Sequence, residues 1–209
     1  DNLFTKKPVL LLFSGPSTSK NIEWVRANKD KFIIVSALST CRLLHKNEIT
    51  PDIVVHIDPG DRSSLLFDGL DTKEYFKNST IIFSSNVNEE TLKKFNPSKC
   101  YFIEQGTAYK KGFARLSAPS VGEYAYGLFL IFGVHNMFML GVDLALDSQT
   151  LKSHGELHPF QAQGQIDKKN ASLFSKQHAL FACSFTLLSF CLFSKRCAPF
   201  FGTKISQRV

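Results

Sequence analysis

Two aspartates and a histidine stand where chemistry could be done. Asp58 closes the apolar run Ile53-Val54-Val55-His56-Ile57 and precedes Pro59-Gly60. Asp143 follows Met137-Phe138-Met139-Leu140 by way of Gly141-Val142. A carboxylate just past a buried strand can orient a hydroxyl, accept a proton or hold a hard cation. His154 and His158 lie in the polar loop 141–165. An imidazole there could serve as a general base near neutral pH. The octapeptide Phe13-Ser14-Gly15-Pro16-Ser17-Thr18-Ser19-Lys20 links the first apolar run to a helix-like stretch. Gly15 lets the backbone approach a ligand, and N–H groups of Gly15, Ser17 and Thr18 could hold a phosphate, with hydroxyls assisting. Pro16 has no N–H to give. The octapeptide is neither GxGxxG nor GxxxxGK[ST], and it also reads as a plain strand-to-helix turn capped by Ser17 or Ser19. Ser84-Ser85-Asn86 could bond a nucleotide or a sugar, or form a simple turn. Asp52 reads as a structural cap and His56 as a packed core histidine.

Six short apolar runs must carry these groups. They are Val9–Phe13, Phe32–Val35, Ile53–Ile57, Thr80–Phe83, Cys100–Ile103 and Met137–Leu140. Their unbroken apolar character suits strands buried on both faces. Helix-like stretches alternate with them: Lys20–Lys29, Thr40–Asn47, Asn88–Phe95 and Ser120–Phe132. The last opens with Ser120-Val121-Gly122-Glu123, the spacing of a capping box. Strands alternating with helices predict an α/β, Rossmann-like fold, a mostly parallel sheet with helices on both faces. Residues 1–160 read as one ligand-binding domain. Residues 161–209 read as a helical, basic, Phe/Cys-rich tail.

The chain has 209 residues and a formal net charge of +7. A basic balance invites nucleic acid, anionic lipid or phosphorylated substrates. The charge is unevenly placed. Residues 1–150 hold 17 Lys/Arg against 16 Asp/Glu, and residues 151–209 hold 8 against 2. The main domain is therefore nearly neutral, which argues against a nucleic-acid groove across it. The five cysteines, Cys41, Cys100, Cys183, Cys191 and Cys197, include no CxxC pair. They read as buried thiols of a reducing compartment rather than as a zinc site or disulfide frame. The absence of a signal-peptide pattern fits a cytoplasmic protein. The most apolar stretch, Ala179–Phe193, falls short of the roughly 20 residues a membrane helix needs.

Taken in order, the motifs resemble one family. Gly15-Pro16-Ser17 after the first strand is followed by Pro51-Asp52-Ile53-Val54-Val55-His56-Ile57-Asp58-Pro59 and Ser120-Val121. Then come Leu140-Gly141-Val142-Asp143-Leu144-Ala145 and His154-Gly155. This series is similar to the motility accessory factors of flagellated bacteria, over roughly residues 8–160. The resemblance implies a nucleotide-sugar-binding domain and a role in flagellin glycosylation. The implied reaction moves a nonulosonic acid, pseudaminic or legionaminic, from its CMP-activated form to Ser/Thr of flagellin. The Gly-Pro-Ser loop also resembles that of bacterial sialyltransferases, which hold CMP there. On this analogy Gly15, Pro16, Ser17 and Thr18 cradle the nucleotide phosphate. Asp58, Ser84, Ser85 and Ser120 complete the donor site. Asp143 contacts the donor and takes part in catalysis, and His154 approaches the acceptor. No metal or cofactor is implied.

Two rival readings stand beside it. One is an ATP- and Mg²⁺-dependent enzyme resembling 6-hydroxymethylpterin diphosphokinase, with Asp58 and Asp143 as oxygen ligands. The other is a non-catalytic accessory factor that binds flagellin or an activated sugar. Family chains are usually much longer. The Phe- and Cys-rich run of residues 161–209 reads as the product of a shifted frame or of a chain cut from a longer one.

Overall fold

A computed structural model describes residues 4, 6–105, 116–143, 146–147, 149–150 and 152–160. The helical tail expected over 161–209, Ala179–Phe193 within it, lies outside the described residues. So do Cys183, Cys191 and Cys197.

The six apolar runs form six strands: β1 (Val9–Leu12), β2 (Ile33–Ala37), β3 (Ile53–His56), β4 (Thr80–Ser84), β5 (Cys100–Ile103) and β6 (Met137–Leu140). They make one sheet in the order β5-β4-β3-β2-β1-β6. Every pairing is parallel. The expected α/β, Rossmann-like fold is therefore what the chain adopts. Chain order runs outward from β1 to β5 on one side, and β6 then returns to the other side of β1. Here lies the switch in strand order, where doubly wound sheets open a crevice beyond the carboxyl ends of their strands.

Strand side chains alternate between faces, and each face has its own cover. Val9, Leu11, Ile33, Val35, Ile53 and Val55 pack with Tyr124, Leu128 and Phe129 of α6 (Val121–Ile131). On the other face, Leu10, Leu12 and Ile34 meet Val25 of α2 (Ile22–Asn28) and Leu44 of α3 (Cys41–Lys46). Further along that face Val54, Ile81 and Phe83 pack on Leu66, Phe67, Phe76 and Phe95. Leu66 and Phe67 belong to a 3₁₀ segment, Asp61–Phe67, for which the sequence offered no apolar period. Two short helices flank it, α4 (Thr72–Tyr75) and α5 (Glu89–Leu92).

Local chemistry sets the boundaries. The helix expected over Lys20–Lys29 is split, because α1 (Pro16–Lys20) begins earlier and Asn21 breaks it from α2. Pro16 sits at the first helical turn, where its missing N–H costs nothing. Gly15 is the N-cap residue, and neither Ser17 nor Ser19 caps the helix. Ser120 does cap α6, its Oγ accepting from Glu123 N at 3.3 Å. Asp52, expected as a cap, instead braces the sheet. Its Oδ2 accepts from Ile34 N at 2.7 Å and its carbonyl from Thr80 N at 2.9 Å, tying three strands together. His56 is buried, with Nε2 3.3 Å from Ser63 Oγ. Cys41 and Cys100 are buried free thiols, and burial pushes Cys41 up to about 12.

β6 departs from the expectation of strands covered on both faces. As an edge strand it leaves Phe138 55% and Met139 43% exposed. The Phe138 ring meets the Phe32 ring edge-on, 5.8 Å away between centres. Among the described residues no helix is long and apolar enough to cross a membrane.

Candidate functional site

The turns that follow β1 and β6 are locked into one another. Phe13 N donates to Leu140 O at 2.9 Å, and Gly15 N donates to Gly141 O at 3.0 Å. Gly141 N donates to Ser17 Oγ at 2.9 Å. Ser17 N donates to Asp143 Oδ2 at 2.7 Å. The Thr18 hydroxyl donates to Phe13 O at 2.7 Å. Two glycines make this closeness possible. A Cβ at Gly15 would come under 3.0 Å from Gly141 O and Asp143 Oδ2. Gly141 has φ +84°, and a Cβ there would crowd Phe13 O and Thr18 Oγ1 as closely.

A second segment lies across the locked turns. Gly155 N donates to Ser14 O at 2.7 Å, and Glu156 N to Ser19 Oγ at 3.1 Å. Gly155 is buried, and a Cβ on it would meet Gly15 O at 3.3 Å and Ser19 Oγ more closely still. His154, the residue before Gly155, is thereby held beside the Gly15–Thr18 turn in space. Its Nδ1 is 2.8 Å from Ser153 Oγ. Its ring stacks on His158, with centres 3.9 Å apart and planes at 13°. His158 meets the edge of Phe160, which packs on the apolar cluster of Val54, Phe67 and Phe83 beneath the Arg62 guanidinium. Burial holds His154 below the usual imidazole range. Burial, with the neighbouring His154, holds His158 down at about 4. Behind the segment, Asp147 pairs with Lys20 and accepts from Thr150 N and Gln149 N at 2.9 and 3.0 Å. The lysine, then those two amides, keep its carboxyl far below the ordinary carboxylate range.

The structure thus brings Gly15, Pro16, Ser17, Thr18, Asp143 and His154 together. It also shows the N–H groups expected to hold a phosphate already engaged. Gly15 N is taken by Gly141 O, Ser17 N by Asp143 and Thr18 N by Gly15 O. An anion at this turn has to displace the Asp143 carboxylate or settle beside it. Ser120 stands near the site, because Gly122 of the same turn faces Val142. Its hydroxyl donates to Glu123 Oε2 at 3.1 Å, so it is occupied in the cap. Burial raises the Glu123 carboxyl above its usual value.

Three further candidates lie elsewhere on the same edge. Asp58, exposed at the end of β3, folds back so that Oδ1 accepts from Gly60 N at 2.8 Å. Ser84 is fully buried, and its hydroxyl donates to Ile57 O at 3.1 Å, bracing β4 to the end of β3. Ser85 is exposed, and its Oγ accepts from Gln105 N at 3.3 Å. Asp143 abuts α1 at the end of β1, two strand spacings or roughly 10 Å from the end of β3. Oxygen ligands sit about 2.1 Å from Mg²⁺, so the two aspartates as arranged do not fit one shared ion. Among the described residues no three His, Cys, Asp or Glu side chains gather as a metal would need.

The partners that sequence reading missed are Ser14, Ser19, Lys20 with Asp147, and Arg62 with Phe160. Each is an ordinary polar or aromatic residue whose partner is remote in sequence. The two glycines at 141 and 155 were visible in the motifs, but not their contact with Gly15.

An all-parallel sheet that switches strand order at β1, with helices on both faces, defines a doubly wound, Rossmann-like α/β protein. Residues 1–149 match the family described as 6-hydroxymethylpterin diphosphokinase MptE-like, and the chain belongs to that family. A solved structure, of MAf glycosyltransferase from Magnetospirillum magneticum AMB-1, shares the fold with a TM-score of 0.54 at 22% identity. The match covers 69% of this chain and 24% of that one, so this chain spans well under half of that protein. Among curated proteins none matches the chain. The family match and the fold likeness bear out the resemblance to motility accessory factors.

Proposed function

We propose that the protein is glycosyltransferase-like and transfers a nonulosonic acid from a CMP-activated donor to Ser/Thr of flagellin. One observation carries this reading. The Gly15-Pro16-Ser17 turn, Asp143 and His154-Gly155 converge on one stretch of the carboxyl edge, although 126 residues separate Ser17 from Asp143. In the proposed reaction CMP leaves with the bonding electron pair and an oxocarbenium-like centre develops at the sugar. CMP is a good leaving group, so the protein supplies orientation, charge stabilisation and a base. The Gly15–Thr18 turn holds the nucleotide phosphate once Asp143 yields Ser17 N, and Asp143 then faces the donor. Asp58 and Ser85 serve the outlying part of the donor, with Ser120 at the near side. His154 takes the proton of the acceptor hydroxyl at Nε2, while its Nδ1–H donates to Ser153 Oγ. The N-terminal 160 residues are proposed as the unit that binds the nucleotide sugar.

The test is transfer itself. The protein is incubated with flagellin and CMP-pseudaminic or CMP-legionaminic acid, and flagellin is weighed by mass spectrometry. A mass gain lost in Ser17→Ala and His154→Ala, both still folded by circular dichroism, is the expected result. No gain with the unaltered protein rejects the reading, and full activity in both variants rejects the residue roles.

The family's description favours a second reading, an ATP-dependent diphosphokinase of a hydroxymethylpterin. Thermal protection separates the two. Protection by cytidine nucleotides supports the transferase, and protection by ATP with Mg²⁺ supports the kinase.

A further inference from the structure

The segment that carries His154 holds a second imidazole with no role so far. The rings of His154 and His158 lie 3.9 Å apart and within 13° of parallel. Their one-turn spacing in the chain does not require this. The stack is built from both ends. Gly155 and Glu156 are pinned to Ser14 and Ser19. Phe160 is pinned to the apolar cluster of Val54, Phe67 and Phe83, with Arg62 over its ring at 4.8 Å. Phe160 N donates to His158 Nδ1 at 3.2 Å, so neutral His158 carries its proton on Nε2. Ser153 takes the Nδ1 side of His154. Its Nε2 is left with no protein partner among the described residues.

We propose that His158 is a positioning residue for His154: its ring, stacked flat on His154 and anchored through Phe160, fixes the Nε2 edge of His154 toward the acceptor hydroxyl. This rests on the transferase reading above. The proton bookkeeping is closed. The acceptor O–H proton goes to His154 Nε2, the acceptor oxygen bonds to the sugar, and CMP leaves with its electron pair. His154 becomes an imidazolium, its Nδ1–H still donated to Ser153. For that charge to form, the stacked partner must stay uncharged, and burial keeps His158 neutral down to about 4. Among the described residues, the side chains bonded to or stacked on the pair are Ser153, Phe160 and, over the Phe160 ring, Arg62. None of these is a carboxylate that would draw a second proton onto the rings.

The experiment compares His158→Ala and His158→Phe in the full chain. Two readouts are taken: the NMR titration of the His154 ring, and the pH profile of transfer to flagellin. His158→Ala removes the stack, and His158→Phe rebuilds a flat ring without a titrating group. His158→Ala is expected to move the His154 midpoint up toward the ordinary imidazole value. It should lower kcat by up to about 100-fold, the cost of a misplaced base, with little change in KM for the donor. His158→Phe is expected to restore both. An unchanged His154 titration in His158→Ala overturns the proposal, as does a phenylalanine variant no better than alanine. Absence of transfer by the unaltered protein overturns instead the reading beneath it, and the two failures are seen in different measurements.

Discussion

Gly141→Ala is the substitution whose cost the site geometry defines most sharply. Two penalties fall on it. Its φ of +84° is strained for any residue with a Cβ, by roughly 1–2 kcal/mol. The new Cβ would also press on Phe13 O and Thr18 Oγ1, both backed by β1 and α1. Forcing a methyl into such a packed place costs about 1–3 kcal/mol more. The expected loss is therefore about 2–5 kcal/mol, or a Tm lower by about 4–20 °C in a domain of this size. Three other alanines separate the penalties. Gly69 and Gly133 have φ +79° and +76° with nothing within 4 Å, so they carry strain alone. Gly15 has φ −66° yet meets Gly141 O and Asp143 Oδ2, so it carries contact alone. Urea unfolding followed by circular dichroism ranks the four variants. Gly141→Ala should cost more than either kind of control. Equal losses for Gly141→Ala and Gly69→Ala would refute the claim that the β1 and β6 turns are locked by close backbone contact.

Asp143→Ala should destabilise the fold by about 1–2 kcal/mol, because it strands Ser17 N at the start of α1. Asp143→Asn, which keeps an acceptor, should cost less, and equal unfolding midpoints for all three proteins would count against that bond. His56 links stability to pH. Burial lowers it to about 4 in the folded chain, against about 6.5 when unfolded. Between those values the unfolded chain binds more protons, so stability falls as pH drops, by about 2 kcal/mol from pH 7 to 5. His158 adds a slope of the same sign. His56→Asn should flatten part of the fall in a urea series, and an unchanged slope would show that His56 titrates alike in both states.

The six strands could be read nearly in place, since Cys100–Ile103 and Met137–Leu140 match to the residue. The four inner runs announce themselves because both faces of an inner parallel strand are apolar, and the two edge runs because they too are unbroken apolar stretches bounded by polar residues. The cap at Ser120 was legible for a similar reason, because its partner Glu123 is three residues away. The segment Asp61–Phe67 was not, since Leu66 and Phe67 are too few to show a period and are buried only by packing on Phe83's side of the sheet. The exposure of Phe138 was hidden too, because a strand's place in the sheet order is not written in its own residues.

The candidate site divides along the same line. Residue types and local order alone determined the strand-to-helix turn at Gly15-Pro16-Ser17, the carboxylate after β6 and the histidine loop, because each is a short-range pattern. Only the tertiary structure decided that Asp143 already occupies Ser17 N, that Ser84 faces inward, and that His158 lies flat on His154. The burial of Ser84 follows from β4 pairing with β3, and the other two outcomes depend on β6 crossing back to pair with β1. That pairing joins parts of the chain that no local pattern connects.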